Sequence, residues 1–202
     1  MNPDPTPSPA PPEIRPVTSD RWQELAAFFG RAGAFSHCWC TWWRQTSGEF
    51  STGIEEHGAG NRALMHSLVE AGSEPGLLAY RDGRPVGWVS VAPRTQYGRV
   101  LRSRRIGPSP EEGSDERVWS VVCFWIPRGE RGKGVATGLL NGAVAHARAR
   151  GARALEAYPV DASSGRRPAA NLFTGTLSMF TRAGFHEVDR PRGVQLVVRR
   201  SL

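Results

Sequence analysis

Six consecutive residues, Arg131-Gly132-Lys133-Gly134-Val135-Ala136, hold the densest chemistry in this 202-residue chain. Glycines let a backbone approach a ligand closely. The first amides of a helix have no internal acceptor and carry partial positive charge. A glycine turn that opens a helix is therefore a pocket for a phosphate or diphosphate. Arg128, Arg131 and Lys133, the only lysine in the chain, set full positive charges beside it. Two other phosphate turns fit poorly. Gly129 and Gly134 have Walker spacing, but Val135-Ala136 stands where Lys-Ser/Thr is needed. Gly132 and Gly134 begin a dinucleotide pattern whose third glycine falls on Thr137, with Gly138 one residue late.

The remaining reactive side chains are sparse. Cys38 and Cys40 form a Cys-x-Cys pair and Cys123 is distant in sequence. Two thiolates one residue apart do not fill a tetrahedral site, and His37 is too near in sequence to complete it, so no metal is expected. Cys38 and Cys40 read as core or pocket residues, and Cys123 as a small buried apolar residue. Trp39, Trp42 and Trp43 suit either an acceptor pocket or plain packing. Arg94, Arg99, Arg102, Arg104 and Arg105 read as a solvated loop, with an acidic ligand or RNA as the alternative. His57 and His66 read as surface residues.

Position is set by the elements around these residues. An apolar run, Val118 to Ile126, enters the glycine turn as a buried strand, and a helix leaves it from Gly134 to Arg150 with Leu139, Leu140, Ala143, Val144 and Ala147 turned inward. Upstream, Thr18-Ser19-Asp20 precede a helical pattern through Phe29, and Asn61 to Ala71 predicts a second helix. Leu77–Tyr80 and Val86–Val91 flank Asp82-Gly83, a hairpin signal. Residues 93–117 read as a long, mobile loop. Strand Ala154–Tyr158, helix Asn171–Arg182 and strand Val194–Arg199 follow, giving a mixed α/β chain with one parallel crossover.

Composition bounds the function. The length suits one domain, and residues 1–13, with six prolines, read as a disordered arm before a single domain at 14–202. No apolar run reaches the roughly 20 residues of a membrane helix, and no membrane partner is expected. The net charge of +7 suits an anionic partner without choosing one. Few cysteines point to a reducing cytoplasm.

The turn, its flanking strand and helix, the hairpin at Asp82-Gly83, the strand Leu155-Glu156-Ala157-Tyr158 and the late Ala183-Gly184-Phe185 together resemble the GNAT superfamily of acyl-CoA-dependent N-acyltransferases. The family motif Arg/Gln-x-x-Gly-x-Gly/Ala matches Arg131 to Ala136 position by position, and the Cys38-Trp39-Cys40 stretch is similar to a bacterial subgroup. The resemblance implies an α/β (α+β) fold: a twisted, mostly antiparallel sheet flanked by helices, with a central parallel strand pair that splays. It implies acetyl-CoA as cofactor, its diphosphate on Arg131, Gly132, Lys133, Gly134, Val135, Ala136 and Thr137. Its pantetheine arm would pair with the main chain at Phe124, Trp125 and Ile126, and an N–H near Phe124 would face the acyl oxygen.

The sequence departs from the family at the proton donor. Phe180 stands where members carry a tyrosine four residues before the late Gly-Phe, and a phenyl ring has no proton to give. Ser178, Tyr158 and Cys123 are the stand-ins, beside unaided departure of the thiolate. Phe173 replaces a family asparagine, with Asn171 two residues earlier. No carboxylate lies within Val118–Ile126. Glu156 is the favoured base, because strand alternation aims it and Tyr158 at one side; an ion-paired or surface glutamate and deprotonation through water are the alternatives. The leading function is acetyl transfer from acetyl-CoA to a small-molecule primary amine in a ternary complex, with a homodimer compatible. A non-catalytic acyl-CoA-binding module is the alternative; a nucleic-acid partner has only the charge behind it.

Overall fold

The computed structural model describes residues 10–30, 32–108, 110–161, 172–189 and 196–202. In chain order the elements are β1 (Glu13–Pro16), α1 (Trp22–Phe29), α2 (Ser47–Gly53), α3 (Glu55–Glu70), β2 (Gly76–Arg81), β3 (Arg84–Pro93), α4 (Gly98–Leu101), α5 (Pro110–Gly113), β4 (Val118–Trp125), α6 (Val135–Ala149), β5 (Ala154–Ala157), α7 (Leu177–Arg182), β6 (His186–Asp189) and β7 (Val197–Ser201). The strands form one seven-stranded sheet in the order β1-β2-β3-β4-β5-β7-β6. Every neighbouring pair is antiparallel except β4 and β5.

Local chemistry explains the main elements. Asp82 and Gly83 take φ of 49° and 71°, the left-handed pair that a two-residue hairpin turn demands. Thr46 and Glu49 close a capping box over α2. Helix α6 buries Val135, Leu139, Leu140, Ala143, Val144 and Ala147 against one sheet face, where Val89, Val91, Val121, Leu155 and Val198 meet them. The other face carries Leu78, Tyr80 and Trp88 under α1 and α3, and Val122 and Tyr158 under Trp43, Tyr97 and Val100.

Several elements differ from the sequence reading. The 93–117 stretch is anchored rather than loose: Tyr97 and Val100 are wholly buried and Arg94 is 1% exposed. Its arginines hid this, since charge masked the few anchoring residues. Helix α3 begins at Glu55 but breaks at Glu56, His57 and Gly58, which hold positive φ. The late helix starts at Leu177, because Gly175, at φ +83°, makes a turn before it. Short strands β1 and β6 carry too few apolar residues to announce themselves. Of the amino-terminal arm, residues 1–9 lie outside the described residues, whereas Glu13 already pairs with Tyr80.

Candidate active site

The strand–turn–helix segment presents open donors. After β4, the chain makes a 3-10 turn at Arg128–Glu130, and Gly132 and Gly134 adopt φ of +76° and +78°. A Cβ on either glycine would meet nothing within 4 Å among the described residues, so these positions need glycine for its backbone freedom. The first helical bond runs from Gly138 N–H to the Gly134 carbonyl at 3.0 Å. The amides of Gly132 through Thr137 have no acceptor among the described residues. Residues Arg131 to Gly134 are exposed, and Val135 is buried and fixes the start of α6.

Side chains brace this turn from below. Arg81, at the end of β2, pairs with Glu130 at 2.9 Å and donates to the Lys133 carbonyl at 3.2 Å. Arg131 Nε donates to the Ile126 carbonyl at 3.0 Å, and Lys133 Nζ lies 3.4 Å from Glu130. Unpaired amides, positive φ and two exposed cations fit a diphosphate. Spacing along the chain carries no sign of Arg81, because its partners lie some fifty residues away.

A gap opens beside this turn. Parallel pairing of β4 with β5 covers only Val118–Val121 against Ala154–Ala157. On its other edge, β4 shifts register between Ser90 and Val91, which leaves Val122 as an extra residue. Beyond it, Phe124 N–H donates to the Phe173 carbonyl at 2.6 Å. Phe173 belongs to a turn closed by Gly175 N–H on the Leu172 carbonyl at 2.9 Å, and Val160 N–H donates to the Gly175 carbonyl at 3.1 Å. Residues 172–176 thus stitch the end of β5 to β4. Trp125 and Ile126 are half-buried. Phe180 is fully buried, its ring 6.2 Å from Phe124 and 5.1 Å from Phe185.

On the opposite face, β5 and the residue that follows it place Glu156 and Tyr158 side by side, with Tyr158 donating to Glu156 Oε2 at 3.3 Å. Arg94 Nη1 donates to the same oxygen at 2.9 Å, and Arg199 donates from Nε to Oε1 at 2.9 Å. Tyr158 also exchanges a hydrogen bond with Ser120 on β4 at 2.9 Å. Burial, and then the Glu156 charge, push the Tyr158 phenol far above its ordinary pKa. Burial works against the Arg199 charge, but bonding to Glu156 prevails and raises its pKa. Ser178 lies apart, exposed on α7, with Thr176 Oγ1 3.3 Å away. Asn171 lies outside the described residues. Arg94, Arg199 and Ser120 were not legible in advance: their roles come from strand pairing and a distant loop.

The cysteines and tryptophans converge on this face too. Cys40 Sγ lies 3.5 Å from Cys123 Sγ. Burial pushes the Cys38 thiol up to about 11, and the Cys123 contact, with burial, pushes the Cys40 thiol well above its ordinary value. Trp39 packs in the core against Phe29. Trp43 lies 6.2 Å from Tyr158, and Trp42 carries the Arg99 guanidinium 3.4 Å from its ring centre. Trp42, Trp43, Arg99 and Arg102 line a cavity of about 520 Å³.

A family model described as "Acetyltransferase (GNAT) family" matches residues 35–174. Solved structures share the fold across nearly the whole chain. The PaiA N-acetyltransferase of Thermoplasma acidophilum, in complex with coenzyme A, is 14% identical over 95% of this chain and 99% of that one, with TM-score 0.52. The GNAT domain of S. lividans PAT is 18% identical over 95% and 90%, TM-score 0.54. A ribosomal-protein-alanine N-acetyltransferase from Brucella melitensis is 20% identical over 94% and 99%, TM-score 0.51. At such identities the likeness speaks for the fold alone. A comparison with curated proteins found no match.

Proposed function

The chain belongs to the GNAT acetyltransferase family, whose members use acetyl-CoA, and from that premise we propose that it transfers an acetyl group from acetyl-CoA to the primary amine of a small molecule. The observation that carries the reading is the row of amides, Gly132 to Thr137, without an acceptor among the described residues, after a strand whose parallel partner has stopped pairing. Those amides would hold the diphosphate, with Arg131 and Lys133 adding charge and Arg81 keeping the turn in shape.

In this proposal acetyl-CoA supplies an activated thioester, and the protein supplies alignment and polarisation. Phe124 N–H gives up the Phe173 carbonyl and donates to the acyl oxygen, with Trp125 and Ile126 continuing the edge against the pantetheine arm. The amine approaches through the cavity at Trp42 and Trp43 and loses its proton to water. Glu156 acts as a positioning residue, since its two oxygens are already occupied by two guanidiniums and a phenol. It holds the Tyr158 hydroxyl just past β5; a phenol with so raised a pKa is a poor acid, so the thiolate departs unaided, with Tyr158 or Ser178, at the start of α7, donating no more than a hydrogen bond to it. Three free thiols suit a cytoplasmic setting.

The test is calorimetric binding of acetyl-CoA, followed by release of free CoA with a broad panel of primary amines. Micromolar binding that weakens in Arg131→Ala, together with amine-dependent thiol release, is expected. No binding, or binding without turnover of any amine, would sink the transferase reading; the second outcome would leave a non-catalytic acyl-CoA-binding module.

A further inference from the structure

Arg44 presents a problem that the acetyl-transfer reading does not solve. Its guanidinium lies 4.7 Å from the centre of the Tyr97 ring, and Nη1 donates to Gln96 Oε1 at 2.7 Å. Its Nε and Nη2 are closed to solvent and have no hydrogen-bond partner among the described residues. Burial, the leading influence on this group, lowers its pKa. No carboxylate among the described residues forms an ion pair with it. Arg44 is half-buried, but two guanidinium nitrogens shut off from water without a counter-charge are costly, and an apolar side chain would pack on Tyr97 without that cost. The contrast with Arg94 is direct: Arg94 is at least as buried, and Glu156 neutralises it.

The two unpartnered nitrogens are Nε and one terminal nitrogen, the pair with which a guanidinium grips a carboxylate side-on. Arg15 uses that same pair on Glu13, with Nε to Oε1 and Nη2 to Oε2 both at 2.8 Å. Arg44 also forms part of the wall of a cavity of about 470 Å³, together with Gln45, Gln96, Leu64, Leu68 and Glu49. Gln96, also in the cavity wall, accepts from Arg44 through its oxygen, and its amino group is a further donor on that side chain. Leu64 and Leu68 lie one helical turn apart on α3 and give the cavity an apolar side. Glu49 is engaged elsewhere: it caps α2 through Thr46, and the cation that acts on its charge is Arg102.

We propose that this cavity binds the carboxylate of a small aliphatic acid, held side-on by Arg44 and by the Gln96 amide, with its tail against Leu64 and Leu68. A carboxylate suits the fork better than phosphate, because its two coplanar oxygens match the two parallel N–H bonds and leave no third oxygen to solvate. The residues that line this cavity include none of Arg131 to Thr137, so the site is separate from the proposed diphosphate turn.

Calorimetry on the full chain with sodium hexanoate, hexanamide and hexylamine at matched ionic strength tests this. Hexanoate should bind one to one, with hexanamide and hexylamine weaker by about tenfold or more. Arg44→Gln should lose hexanoate binding by about the same factor while its melting temperature holds or rises, because the uncompensated charge is gone. Gln96→Leu gives a second reading that leaves the guanidinium in place, and a several-fold loss is expected. Arg131→Ala should leave hexanoate binding unchanged, so this proposal and the acetyl-CoA reading can fail separately. Equal affinity for the acid and its amide, no binding at millimolar hexanoate, tighter binding of inorganic phosphate, or an Arg44→Gln protein that binds hexanoate as well as wild type would each overturn it.

Discussion

Replacing Glu156 by Gln separates two roles for the same carboxylate. Its side chain is 3% exposed and its partner Arg94 is 1% exposed, so the pair sits beyond useful solvent screening. Removing one charge of such a buried pair strands the other, at a cost of about 3–5 kcal/mol. Gln keeps a carbonyl that can accept one bond, which argues for the lower end. Arg199 is 25% exposed, so its loss is screened and adds only about 0.5 kcal/mol. For a chain of this length each kcal/mol moves the melting temperature by about 2–4 °C, so about 3 kcal/mol predicts a fall of roughly 6–12 °C. Thermal circular dichroism reads this directly. The double variant Glu156→Leu/Arg94→Met should recover much of the loss, since it removes both charges. Turnover of Glu156→Gln, measured well below its melting point, should fall only modestly. The reverse pattern would refute the reasoning: a melting temperature unchanged within about a degree, with kcat down about a hundredfold or more, is what loss of a general base produces.

Three further outcomes are expected. Burial lowers the His146 pKa below its ordinary 6.5, with Glu74 opposing and Arg150 assisting; the unfolded chain then binds the proton more readily, so stability is full above about pH 6.5 and falls below it, by at most about 1.4 kcal/mol per pH unit. His146→Gln should flatten that limb in urea titrations at pH 5 to 7, and an unchanged slope would remove His146 from the account. Gly134→Ala meets no steric obstacle, only a positive φ, so about 1–2 kcal/mol of strain should lower the melting temperature or, where the turn relaxes, weaken acetyl-CoA binding; neither change would contradict the left-handed turn. In Gly175→Ala the new Cβ would come within 2.7 Å of Met179 and 2.8 Å of Phe180, which should dislodge the 172–176 turn. Hydrogen exchange at the Phe124 amide should quicken and acetyl-CoA should associate faster in stopped flow, and an equally protected amide would deny the Phe173 contact.

The amino-acid order alone determined the strand, glycine turn and helix from Val118 to Ala149, because that unit is local. An apolar run, two glycines that accept positive φ and an inward stripe at helical spacing need no distant partner to be read. The hairpin at Asp82-Gly83 was legible for the same reason, and the single parallel crossover follows from strand, helix, strand in sequence. Only the tertiary structure decided which charges are buried and which amides are covered. Arg94 looked like one more solvated arginine until a strand 62 residues later brought Glu156 to it. Nothing in the spacing marks Arg44, whose guanidinium the fold sets over Tyr97, and Phe124 reads as a free edge until Phe173 returns to its amide. Desolvation and ion pairing depend on what lies within a few ångströms across the fold, and spacing along the chain carries no record of that distance.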